Sequence, residues 1–98
     1  MSKDDDDSFA EEASLLAALA NPHRLRILVA LSKGEASVGE LEKHVDLTQS
    51  ALSQHLAKLR HDRLVKTRRA AQMIFYSTID PRVLKMLEVL TEIFVVKP

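Results

Sequence analysis

The sequence predicts a mostly α-helical domain carrying one small β-hairpin, and three observations predict it. Between Val38 and Leu59, two short amphipathic helices are joined by only three or four residues. After them, Leu64–Arg69 and Met73–Thr78 read as strands on either side of a turn at Ala70-Ala71-Gln72. Finally, Asp80-Pro81 opens a helix that is apolar over most of its circumference. With two more helices before Val38, the order becomes α-α-α-α-β-β-α, a winged helix-turn-helix.

Each element has a local reason. Met1 to Asp7 is polar, charged and aperiodic, so it reads as a disordered acidic tail; residues 8–96 read as the folded domain. Asp7 or Ser8 is placed to cap a first helix with Phe9, Leu15, Leu16 and Leu19 at its apolar positions, and the acids at its start suit the helix dipole. Asn21-Pro22 restarts the chain as cap and first helical residue. Leu25, Ile27, Leu28 and Leu31 follow, and Gly34 is placed as a left-handed cap. Arg24 and Arg26 are equally consistent with phosphate contact and with a solvated face; His23 is expected to be exposed. Ser37 with Glu40 forms a capping box for a helix from Val38 to His44, which sends Leu41 and Val45 inward. Thr48 then caps the helix that carries Leu52, Leu56 and Leu59 at i, i+4 and i+7.

Composition limits the rest. At 98 residues the chain is a single domain with a marginal core of its own. The absence of cysteine excludes disulfides, thiolate metal sites and thiol switches. No apolar run is long enough to span a membrane and no signal-like segment precedes Ser8, so a cytoplasmic location is expected. Net charge is zero but unevenly spread. Met1–Ala20 holds six acids against Lys3, whereas His55–Gln72 holds six cations against Asp62. That basic stripe governs how the protein meets phosphates.

The outer face of the Thr48-capped helix points to double-stranded DNA. A helix lies in the major groove only if its outward side chains are short and offer donors and acceptors to base edges. Gln49 can bond adenine bidentately, Ser50, Ser53 and Gln54 can reach bases or phosphates, and Thr48 sits at the positive helix end. Lys58 on the helix, and Lys66, Arg68, Arg69 and Gln72 on the hairpin, are placed to hold the backbone or the minor groove. His55 lies at the edge of the apolar stripe, where a packed structural ring and a base reader fit the pattern equally well. An ordinary solvated helix-turn-helix remains the alternative. No nucleophile is paired with a base in a recognisable motif, and Gly34 and Gly39 cannot build a phosphate loop, so an enzyme is not expected.

The run Gln49–Arg60, followed by Leu64-Val65 and Arg68-Arg69, resembles the ArsR/SmtB family of bacterial winged-helix repressors. Ala20–Leu28 is similar to that family's second helix, and the likeness extends from about Leu15 to Phe94. Ser50–Leu56 resembles most the branch containing NolR, BigR and HlyU. The resemblance implies a DNA-binding regulator, but the family's sensing positions are occupied differently. Ser37-Val38-Gly39 stands where arsenic and cadmium sensors have Cys-x-Cys. Asp80-Pro81-Arg82 stands where zinc sensors have Asp-x-His, with Ile93 and Val96 in place of their second pair. The two cysteines of sulfur-responsive relatives correspond to Val29 and Val95. The resemblance therefore implies no cofactor and no metal, with occupancy set by protein level. The histidines, His23, His44, His55 and His61, show no i, i+4 pairing.

The last helix needs a partner. Val83, Leu84, Met86, Leu87, Val89, Leu90, Ile93, Phe94 and Val95 are too many apolar positions for one buried stripe. A two-fold homodimer through the first and last helices is expected, with Leu15, Leu16, Leu19, Val83, Leu87, Leu90, Ile93 and Phe94 at its interface. The resemblance implies the same, and an inverted-repeat operator follows. Two other readings stay open: a winged helix that meets an acidic protein partner, and a repressor controlled by a small ligand held between the dimer helices.

Overall fold

The computed structural model describes residues 8–94. The acidic segment 1–7, and Val95 and Val96, lie outside the described residues. The elements run α1 (Ala10–Leu19), α2 (Pro22–Ser32), β1 (Ala36–Ser37), α3 (Val38–Glu42), α4 (Gln49–His61), β2 (Lys66–Ala70), β3 (Met73–Ser77) and α5 (Pro81–Phe94). The three strands form one antiparallel sheet in the order β1-β3-β2.

Most helix starts follow the expected capping chemistry. The Asn21 side chain accepts from the His23 and Arg24 N–H groups at 2.9 and 3.1 Å. Ser37 accepts from the Glu40 N–H at 3.2 Å while the Ser37 N–H donates back to Glu40 at 2.8 Å. The Thr48 hydroxyl accepts from Ala51 at 3.1 Å, and Asp80 accepts from the Arg82 N–H at 2.8 Å. Each satisfies a backbone donor that the first turn leaves without a partner.

α1 departs from expectation. Its N-cap is Phe9 at φ 64°, with no side-chain cap bond, so Ser8 does not cap it, and Asp7 lies outside the described residues. At the end of α2 the C-cap is Lys33, with Gly34 one residue beyond it. Gly34 follows at φ 154°, which side chains rarely adopt, although nothing lies within 4 Å of where a Cβ would stand. α3 stops at Glu42, two residues short of the expected His44. Arg24 and its guanidinium turn inward: Nε donates to the Ala18 carbonyl at 2.7 Å and Nη2 to Ala17 at 3.2 Å, closing the C-terminus of α1.

α4 ends on a left-handed residue that is not glycine. Arg63 has φ 63°, its N–H donates to Arg60 at 3.0 Å, and the Leu64 N–H reaches back to the Leu59 carbonyl at 2.9 Å. These bonds satisfy the last carbonyls and fold buried Leu64 under the helix. A Cβ in this conformation costs roughly 1 kcal/mol. Arg63→Gly is therefore expected to raise stability by about 0.5–1 kcal/mol, read as a higher urea midpoint at unchanged slope, with Arg63→Ala showing no such gain.

The hairpin is tighter than the sequence suggests. Ala70 pairs with Met73, leaving only Ala71, at φ 57°, and Gln72 in the loop. Strand β1 was not expected at all; Ala36 pairs with Tyr76 and Ser37 with Phe75, tying the start of α3 to the hairpin base. Beneath it, the Thr78 hydroxyl donates to the Leu64 carbonyl at 2.8 Å, so a buried polar group is satisfied.

One core unites these elements: Ile27, Leu28 and Leu31 of α2, Leu41, Leu52, Leu56 and Leu59 of α3 and α4, Leu64, Val65, and Val83 and Leu87 of α5. The apolar residues assigned to a dimer divide in two. Leu19, Val83 and Leu87 are buried inside the protomer, and a side chain without exposed surface has almost none to lose on association. That corrects their assignment. Leu15 and Leu90 are half-buried, whereas Leu16, Ile93 and Phe94 stay 54%, 63% and 68% exposed.

Candidate nucleic-acid interface

The helix-turn-helix is formed by α3 and α4. Leu52, Leu56 and Leu59 are 0%, 1% and 0% exposed, which fixes α4 along one face. Opposite them Ser50, Gln54, Ala57 and His61, at i, i+4, i+7 and i+11, form one exposed line. Gln49 and Ser53 flank it, exposed, and Thr48 stands at the helix start. The side chains are small or amide-bearing up to Ala57, which lets the helix approach a groove floor closely. His61 was absent from the expected set, although its spacing from Ser50 and Gln54 signals it. Lys58 is exposed, with Nζ 3.3 Å from Asp62.

His55 does not share that face. It is half-buried, and its ring lies 5.7 Å from the ring of His23 on α2, centroid to centroid. Burial first, then the charges of Arg24 and His23, hold its pKa below the usual imidazole value of 6.5. Of the two roles open to it, the ring contact with α2 supports the packed position. The contact also joins two histidines that sequence spacing left apart, but two nitrogens fall short of the three or four ligands of a protein zinc site.

The hairpin separates the cations expected to act together. Successive strand residues point to opposite faces: Arg68 pairs in register with Phe75 and Arg69 with Ile74. Arg68 is already engaged. Its Nη2 and Nε donate to the two Glu35 oxygens at 2.7 and 2.9 Å, and the guanidinium lies 4.9 Å from the Phe75 ring centroid. The Arg68 hydrogen bond keeps the Glu35 carboxyl below the ordinary range. Arg68 therefore braces the wing against the α2–β1 connection, and a phosphate contact by its guanidinium would have to compete with Glu35. No local signal could reveal a partner 33 residues away. Lys66, Arg69 and Gln72 are exposed, and among the described residues Lys66 and Arg69 have no ion pair.

The comparisons agree with this geometry. A profile of bacterial regulatory proteins of the arsR family matches residues 21–67, from the cap of α2 into β2. Nodulation protein NolR of Rhizobium meliloti is 55% identical over 82 residues, 84% of this chain and 67% of that protein. Transcriptional activator HlyU of Vibrio cholerae is 49% identical over 85 residues, 87% of this chain and 79% of its own. The crystal structure of NolR from Sinorhizobium fredii superposes with a TM-score of 0.87 at 47% identity, covering 99% of this chain and 100% of that one. A winged helix-turn-helix with a polar outward helix and a basic hairpin defines a DNA-binding transcriptional regulator. The chain belongs to the ArsR family. No helix among the described residues is long and apolar enough to cross a membrane.

Proposed function

We propose that the chain acts as a homodimer on an inverted-repeat operator, with the two α4 helices in successive major grooves about 34 Å apart, and that it represses by occluding the promoter. One observation carries the reading. The small polar line Ser50-Gln54-Ala57 is exposed while Leu52, Leu56 and Leu59 directly behind it are fully buried, so the face offered to bases is held rigidly. Gln49, Ser50, Ser53 and Gln54 supply specificity. Thr48, Lys58, Lys66, Arg69 and Gln72 meet the backbone and supply affinity. Leu16, Ile93 and Phe94, with the half-buried Leu15 and Leu90, form the surface for the second copy. With Val29, Ser37 and Ile93 at sensing positions, regulation proceeds without the metal and cysteine inputs of the wider family.

The test is fluorescence anisotropy on the DNA upstream of the protein's own gene, with a scrambled duplex as competitor at two salt concentrations. Binding of two protomers per site that resists the competitor is expected. Gln49→Ala should cost about 1–3 kcal/mol on the preferred sequence and relax one base position. Arg69→Ala should weaken all sequences alike and lower the salt slope by about 1 per protomer. Equal displacement by both duplexes would sink the operator reading.

A further inference from the structure

The contact between His55 and α2 has a use that base reading does not require. We propose that uncharged His55 is a positioning residue that seats recognition helix α4 on α2, so that a proton taken up there loosens the DNA-reading head. The inference rests on the DNA-binding reading above for its consequence, but not for its geometry.

Three features assemble the device. The His55 and His23 rings lie 5.7 Å apart, tilted by 37°. Arg24, the next residue on α2, has its guanidinium on the Ala18 and Ala17 carbonyls at 2.7 and 3.2 Å. The groups charging the ring's surroundings are therefore Arg24 and His23 from α2, both of the wrong sign for an imidazolium. α1 contributes those two carbonyls, which Arg24 already occupies. On α4 itself, Lys58 one turn further on is directed to Asp62 at 3.3 Å. No carboxylate is among the charges acting on the ring. A proton on His55 meets a fixed cation at a half-buried position, and separating α4 from α2 relieves the repulsion.

The sign follows from linkage. Above the usual value of 6.5 the ring is neutral both folded and unfolded, and this group adds no pH dependence. Below it the unfolded chain takes the proton first, so stability falls as pH falls, until the lower folded pKa is passed. A base-facing His55 would strengthen binding in acid; the packed His55 weakens it.

The experiment compares the full chain with His55→Gln, measuring thermal midpoint without DNA and affinity for the operator duplex, from about pH 7.5 to about pH 5.5, the range in which imidazole titrates. The wild-type affinity relative to the variant should fall as pH falls across that range. The midpoint difference should move in the same direction. A constant ratio with parallel midpoints overturns the proposal, and so does a ratio that rises in acid. If His55→Gln does not fold, NMR titration of the wild-type imidazole decides: a midpoint below 6.5 supports the proposal, and one at or above 6.5 overturns it. Failure to bind DNA at any pH overturns the DNA reading alone, since the thermal and NMR arms decide the seating of α4 without it.

Discussion

Ile93→Lys combined with Phe94→Lys is expected to give a folded monomer that no longer holds its operator. Both side chains project from the end of α5 and are 63% and 68% exposed in the protomer, so lysine there disturbs no internal packing. In a dimer the same positions bring like charges together on a surface that must become dry, which opposes association strongly. Losing the second half-site removes an effective concentration and lowers affinity by a factor on the order of 10² to 10⁴. Light scattering should report one chain's mass, circular dichroism a helical content close to wild type, and anisotropy weak binding that scarcely distinguishes operator from scrambled duplex. Leu16→Lys on α1, 54% exposed, should act in the same direction. If the double variant stays dimeric and binds normally, the proposed interface is elsewhere.

That division between core and outer surface shows where sequence reasoning stops. Periodicity found the apolar face of α5 but could not apportion it. Val83 and Leu87 meet the protomer core, while Ile93 and Phe94 lie beyond its reach. The choice depends on where α5 crosses the domain, which is a tertiary fact. Local chemistry was far more legible. Asn21, Ser37 with Glu40, Thr48 and Asp80 cap helices as their side chains dictate, because a cap acts within three residues. The stripe Leu52-Leu56-Leu59 was equally plain. What escaped was non-local or lacked its usual residue. Strand β1 is two residues long and exists only because β3 lies alongside it. Arg68 is claimed by Glu35 from another segment, and His55 by His23 and Arg24. Phe9, Arg63 and Ala71 turn the chain left-handed without the glycine or asparagine that would announce it.

The same separation predicts how the recognition helix fails. Leu56→Ala should be the most damaging small change in the reading head, and damaging without altering what the head recognises. Leu56 is 1% exposed and lies in the core with Leu52 and Leu59, so truncation removes buried methyl groups and leaves a cavity that rigid neighbours fill incompletely. The cost is about 2–5 kcal/mol, a large share of the roughly 5–15 kcal/mol that stabilises a domain. A chain of this size loses about 4–8 °C of thermal midpoint per kcal/mol, so the fall should be clear in a melting curve. Ser53→Ala, three residues away on the exposed face, supplies the contrast: a midpoint near wild type with a change in binding. Molecules of Leu56→Ala that remain folded still present Gln49, Ser50 and Gln54, so their ranking of operator variants should match wild type while the active fraction drops. An altered ranking at full stability would mean that Leu56 acts on the bases directly, contrary to its burial.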